Sequence, residues 1–196
     1  VSAAAGAEKP IVAGAEVVVS GTDLVAPSTG ASSGADATSV FVGGIEVTRF
    51  TELRPSRLRF VLPPGLRAGV QGLVVSQKLL LGTPPTPHEG LSSSPAALIV
   101  CPTVKAAARS TQGPVGSQTT SVQVELDPPV DPAQRAHLLL RRGTAAAPVQ
   151  IFAAPARDQA ASSIVFPVTN DVVADTWVAS LLVDGAEGPP ATVRLA

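Results

Sequence analysis

Aromatic residues are the first scarcity in this 196-residue chain: five Phe, one Trp and no Tyr, 3% of the total. The core must therefore be built from Val, Leu, Ile and Ala, and a carbohydrate site paved with aromatic rings has little to draw on. Cysteine is the second. Cys101 stands alone, so no internal disulfide forms and a disulfide-stapled scaffold is excluded; a lone cysteine suits a reducing compartment. Histidine is limited to His88 and His137, and methionine is absent. Charge of one sign is lacking too: 14 Lys+Arg against 15 Asp+Glu leave a net charge of −1. Nucleic-acid binding needs a cationic stripe to displace counterions, usually with stacking rings for single strands, and neither is present. No apolar run approaches the ~20 residues of a membrane helix, and no charged segment followed by an apolar one opens the chain. Membrane insertion is not expected. The chain starts at Val1, and it is expected to be the C-terminal piece of a longer protein.

Alternation with period two dominates what is there. Leu58, Phe60 and Leu62 fall on one face, with Arg57 and Arg59 on the other. Val122, Val124 and Leu126 alternate with Gln123 and Glu125; Ile164, Phe166 and Val168 share a face; so do Trp177, Ala179, Leu181 and Val183. Because successive strand side chains point to opposite sides of a sheet, this pattern marks half-buried strands. Helical periodicity is not sustained anywhere, and the Ala-rich pieces Ala106–Ala108 and Ala145–Ala147 read as loops. Gly43-Gly44 between two apolar runs predicts a two-residue hairpin, since both turn positions can take positive φ. Asp184-Gly185 is a second turn of that kind, and Pro63-Pro64-Gly65 ends the strand before it. The 17 glycines and 19 prolines punctuate short strands, which favours sandwiches over parallel α/β units. A Ser/Gly/Ala-rich segment, Ala26–Ala37, reads as a long loop, and the polar run Thr86–Pro95 as a connection between strands. The boundary is placed in the stretch from Pro102 to Gly116. The expected fold class is all-β: two tandem sandwiches of immunoglobulin type, residues 1–103 and 104–196.

Chemistry is thinly represented. His88 lies near Ser92, Ser93 and Ser94, but no nucleophile-elbow motif frames them, and the group reads as a polar loop. Cys101 before Pro102 reads as a small buried hydrophobe. Zinc spacings such as C-x-x-C are absent. Asp171 and Asp175 flank a turn without calcium-loop grammar and read as solvated carboxylates. No catalytic, cofactor or metal residue is assigned, and no enzyme activity is expected. The interface candidates are Arg135, Arg141 and Arg142 around Leu138-Leu139-Leu140, which could meet an acidic partner because guanidinium groups suit interfaces; an ordinary charged strand face is the competing reading. Trp177 is expected to anchor the second core.

Specific strings carry a resemblance. Gly14-Ala15-Glu16-Val17-Val18-Val19-Ser20-Gly21, then Val40-Phe41-Val42-Gly43-Gly44-Ile45-Glu46-Val47, Arg57 to Gly65 and Gly72-Leu73-Val74-Val75 occur in the order seen in IPT/TIG immunoglobulin-like domains. The first unit resembles that family over most of Pro10–Ser76. Leu81-Gly82-Thr83-Pro84, Val100-Cys101-Pro102-Thr103-Val104, Val124 to Val130, Leu138-Leu139-Leu140, Ile164 to Val168 and Leu182 to Glu187 extend it. Together they look like the end of the cap (tube-terminator) proteins of phage-tail-like contractile injection systems. Pro95 stands where that pattern has Asn, and Gly188 where it has Ser.

The resemblance implies a non-enzymatic structural module without cofactors. Its partners would be other cap subunits and the tube and sheath proteins, contacted mainly through an N-terminal domain absent here. The fragment would be monomeric and the full-length protein a six-fold ring. Assembly would take place in the cytoplasm as part of the particle, with release carrying it outside the cell. A surface-binding or adhesin-type pair of immunoglobulin-like domains and an accessory domain of a hydrolase are the alternatives.

Overall fold

In the computed structural model, the described residues are 1–26, 37–83, 86–114, 117–143 and 147–196. They form an all-β protein of four antiparallel sheets. The chain divides into two compact units, Val1–Leu66 with Val70–Ile99, and Arg67–Gly69 with Val100–Ala196.

The strands of the first unit are β1 (Ser2–Ala3), β2 (Glu16–Ser20), β3 (Thr38–Val42), β4 (Ile45–Glu46), β5 (Phe50–Arg54), β6 (Arg57–Val61), β7 (Gly69–Leu81), β8 (Thr86–Ser92) and β9 (Ala96–Val100). One sheet runs β1-β2-β6-β5. The other runs β4-β3-β7-β8, with β9 also paired to β7. The alternation read from the sequence fixes which residues go inside. Val17 faces Phe60 across the β2–β6 ladder and Val19 faces Leu58, and all four are buried. Val40 and Val42 supply the second sheet's inner side, opposite Val75 and Leu73. Phe50 meets Phe60 edge to face at 5.9 Å, a favoured arrangement of ring quadrupoles. The hairpin between β3 and β4 turns on Gly43 and Gly44, both at positive φ (56° and 81°). That is the pair of conformations a twist-matched two-residue turn requires. A Cβ at Gly43 would sit 2.5 Å from Gln71 Oε1, whereas one at Gly44 would meet nothing within 4 Å.

The second unit holds β10 (Thr103–Gln112), β11 (Thr119–Val130), β12 (Ala136–Arg142), β13 (Gln150–Ala153), β14 (Ala161–Val168), β15 (Asp175–Val183), β16 (Ala186–Glu187) and β17 (Ala191–Leu195). Its sheets are β10-β11-β14 and β13-β12-β15-β16, with β17 paired to β15. Both sheets feed one buried cluster: Val122, Val124, Ile164 and Phe166 from the first, Leu138, Leu140, Trp177 and Leu181 from the second. This two-layer arrangement is consistent with a β-sandwich. Trp177, 1% exposed, lies within the cluster as the sequence suggests, and its indole N–H donates to the Val173 carbonyl at 3.1 Å. Asp184 (φ 47°) and Gly185 (φ 86°) make the expected turn between β15 and β16. Asp184 also ties it down: one carboxylate oxygen accepts the Arg135 N–H at 2.9 Å and the other the Gln134 side chain at 3.0 Å. Gln134 reaches further, donating to the Ala68 carbonyl at 2.9 Å and accepting the Asp131 N–H at 3.1 Å.

Two sequence readings are corrected. Ala106–Ala108 is not a loop but the middle of β10, paired with β11 from Thr103↔Asp127 to Gln112↔Thr119 through a bulge between Val104 and Ala106. The polar run from Thr86 is not merely a connection, because Thr86–Ser92 is β8, hydrogen-bonded along β7. Backbone pairing, not side-chain burial, makes both strands, and both lie at the margin of a sheet. The loop expected over Ala26–Ala37 falls, apart from its two end residues, outside the described residues. Pro84, Pro85, Gly116, Ala145 and Ala146 do as well.

Candidate functional site

The most chemically distinctive surface lies on the outer side of the sheet built from β13, β12, β15, β16 and β17. In β12, Ala136, Leu138 and Leu140 point into the core, so His137, Leu139 and Arg141 point out. Register carries that face sideways. Leu139 is opposite Ile151 on β13 and Ser180 on β15; Arg141 is opposite Val178; His137 is opposite Ala153 and Leu182. On β17, Val193 and Leu195 are buried, which turns Thr192 and Arg194 outward beside Val178 and Thr176. Ile151 is 62% exposed, and Leu139, Val178 and Leu182 are half-buried. The result is an aliphatic centre flanked by guanidinium groups. Its carboxylate, Glu187, accepts the Ser180 hydroxyl at 3.1 Å.

At one end of this face lies a hollow of about 270 Å³, lined by Arg135, His137, Ala153, Pro155 and Arg157 among others. Arg157 is fastened to backbone carbonyls, with Nη2 donating to Gln134 at 2.8 Å and to Asp131 at 3.2 Å, and Nη1 to Pro155 at 3.2 Å. These dipoles hold the side chain in place but leave its positive charge uncancelled by a carboxylate.

The three arginines singled out in the sequence do not form one group. Arg135 and Arg141 belong to the outer face. Arg142 has the opposite parity, paired in register with Trp177, and its Nε lies 2.8 Å from Asp175 Oδ2 at the strand end. The backbone N–H of Thr176 first, and Arg142 second, hold the Asp175 carboxyl below its usual range. Arg157 and Arg194 were missed because sequence proximity groups residues differently from cross-strand register. The only signal for Arg194 was the alternation Thr192-Val193-Arg194-Leu195.

The groups considered for chemistry are separated. His88, on β8 of the first unit, meets Thr86 Oγ1 at 3.2 Å; His137 belongs to the second unit. Ser92 donates to Ser76 Oγ at 3.3 Å and Ser93 to the Ser94 carbonyl at 3.0 Å, so neither hydroxyl is bonded to a base. Cys101, the only cysteine in the sequence, is buried just past the end of β9, away from both histidines in the chain order. Asp171 does not join Asp175 in a cation site, and among the described residues no group of three or more His, Cys, Asp or Glu could hold a metal. No helix among the described residues is long and apolar enough to cross a membrane.

A family model described as a domain of unknown function (DUF8756) matches residues 99–194, nearly the span of the second unit. No curated protein matches the chain.

Proposed function

We propose that the chain is a non-enzymatic assembly module: two immunoglobulin-like sandwiches, the first of IPT/TIG type, at the C-terminal end of the cap protein of a phage-tail-like contractile injection system. In this reading an N-terminal domain outside the chain closes tube and sheath in a six-fold ring, and the two units are peripheral to it. The observation that carries the proposal is the ordered string of turn and strand motifs, from Gly14 through Gly43-Gly44 and Pro63-Pro64-Gly65 to Asp184-Gly185. The positive φ at Gly43, Gly44, Asp184 and Gly185 gives those motifs a backbone reason. A carbohydrate-binding alternative draws no support from the surface, because each of the six aromatic residues is buried or half-buried and no ring is exposed for a sugar to stack on.

The test is an antibody against the chain, applied by immunogold to contractile particles purified from cells that make the protein. Label confined to one particle end supports the proposal. Particles that never carry the label, or full-length protein accumulating in cells without particles, refute it.

A further inference from the structure

We propose that the outer face of β13, β12, β15 and β17 is a docking surface for a short acidic segment of another protein. That segment lays an aliphatic side chain over Leu139 and Ile151 and turns carboxylates toward Arg141, Arg194 and the hollow beside Arg135. The inference deepens the reading of the chain as an assembly module and rests on it only for the occupant being a protein.

Charge identifies the occupant. The ion pairs among the described residues use Arg54, Arg57, Arg59, Arg67, Lys105 and Arg142. None uses Arg135, Arg141, Arg157 or Arg194. A chain of net charge −1 thus gathers four guanidinium groups that enter no ion pair on and beside one face, where the nearby carboxylates are engaged otherwise: Glu187 accepts the Ser180 hydroxyl, and Asp184 accepts the Arg135 backbone N–H and the Gln134 side chain. Aligned rows of arginine bind carboxylates well because the planar fork gives two parallel hydrogen bonds. The opposite sheet of the same unit carries fewer such groups: Lys105 there is matched by Asp127 at 3.0 Å, with Glu125 beside them, and Arg109, in no ion pair, donates to the Val172 carbonyl at 2.8 Å.

Size decides the kind of contact. Arg135 to Arg141 spans six residues, about 20 Å, and β13 to β17 crosses three strand spacings, about 14 Å. The projected area of about 300 Å² is well under the ~800 Å² per partner of a stable complex. An extended segment of five to seven residues fits that area, and an obligate globular partner does not. The hollow, at about 270 Å³, is large enough for one further side chain.

The probe is a synthetic hexapeptide alternating Glu with Leu, titrated into the ¹⁵N-labelled 196-residue chain. Saturable shifts at the amides of Leu139, Ile151 and Val178, weakening as salt rises, are expected. Arg141→Glu combined with Arg194→Glu should weaken binding at least about tenfold, two interfacial arginines at roughly 1 kcal/mol each. Arg54→Glu, the same kind of charge change in the first unit, should leave it unaltered. If the double variant does not fold, Ile151→Asp on the exposed edge strand is used and should weaken binding to a similar degree. No saturation at about 5 mM peptide, equal binding of an alternating Lys/Leu peptide, shifts mapping elsewhere, or self-association of the chain through this face would each overturn the proposal. Peptide binding does not depend on contractile particles, so its failure and a failure of the particle labelling are separate results.

Discussion

Phe166 and Val165 are neighbours in β14 with opposite fates, and replacing each with alanine tests the layered core of the second unit directly. Phe166 is fully buried opposite Val122, whereas Val165 is 48% exposed opposite Gln123. Phe166→Ala removes a ring packed within the cluster that holds Trp177 and Ile164, and such truncations cost about 3–5 kcal/mol because the surroundings collapse only partly into the cavity. Val165→Ala removes atoms already in contact with water and should stay within about 0.5 kcal/mol. A unit of this size typically has a total stability of about 5–15 kcal/mol, so the first change takes away a large fraction of it. With a urea slope of about 2 kcal/mol per molar, the midpoint should fall by about 2 M for Phe166→Ala and by less than about 0.3 M for Val165→Ala. Trp177 is the only tryptophan and lies in the same core, so its fluorescence follows the unfolding of this unit alone. Equal shifts for the two variants, or a loss below about 1 kcal/mol for Phe166→Ala, would show that β14 does not present the face described.

Further outcomes follow from the turns and the charges. Gly44→Ala should cost about 1–2 kcal/mol by thermal or urea unfolding, purely from placing a Cβ at φ 81° in open space. Gly44→Asn should cost less, because Asn tolerates that region; equal costs would remove the conformational explanation. Asp175, with its carboxyl held below 3.8, contributes stability that is present above that value and lost as pH falls through its lowered folded value. The melting-temperature gap between the protein and Asp175→Asn should therefore be open at neutral pH and close in acid, and a gap independent of pH would contradict the Thr176 and Arg142 contacts as its source.

Strands that bury one face were legible because side chains record them. In β6, Leu58 and Phe60 are both fully buried, and in β11 the set Val122, Val124 and Leu126 alternates with exposed Gln123 and Glu125. The Gly43-Gly44 and Asp184-Gly185 turns were legible because few residues accept positive φ. β10 was not, since Lys105, Ala106, Ala107, Ala108 and Arg109 carry weak strand preference and none is fully buried. Its evidence lies in the partner strand, which local sequence does not display. β8, with Pro87 and Gly90 inside it, was hidden for the same reason, and proline is tolerated there because a marginal strand need not offer every N–H. The arginine face was half legible. Arg135 and Arg141 share parity along one strand, while Arg194 reaches them only through the pairing of β17 with β15.

The solitary thiol has a practical use. Cys101 is 8% exposed, and maleimides attack the ionised sulfur at the surface far faster than a shielded thiol. A cysteine introduced at Ile151 or Thr192 would thus be the one rapidly alkylated position in the molecule. Spin labels or cross-linkers placed there could report which neighbour approaches that side of the sheet, with the unaltered chain serving as the blank.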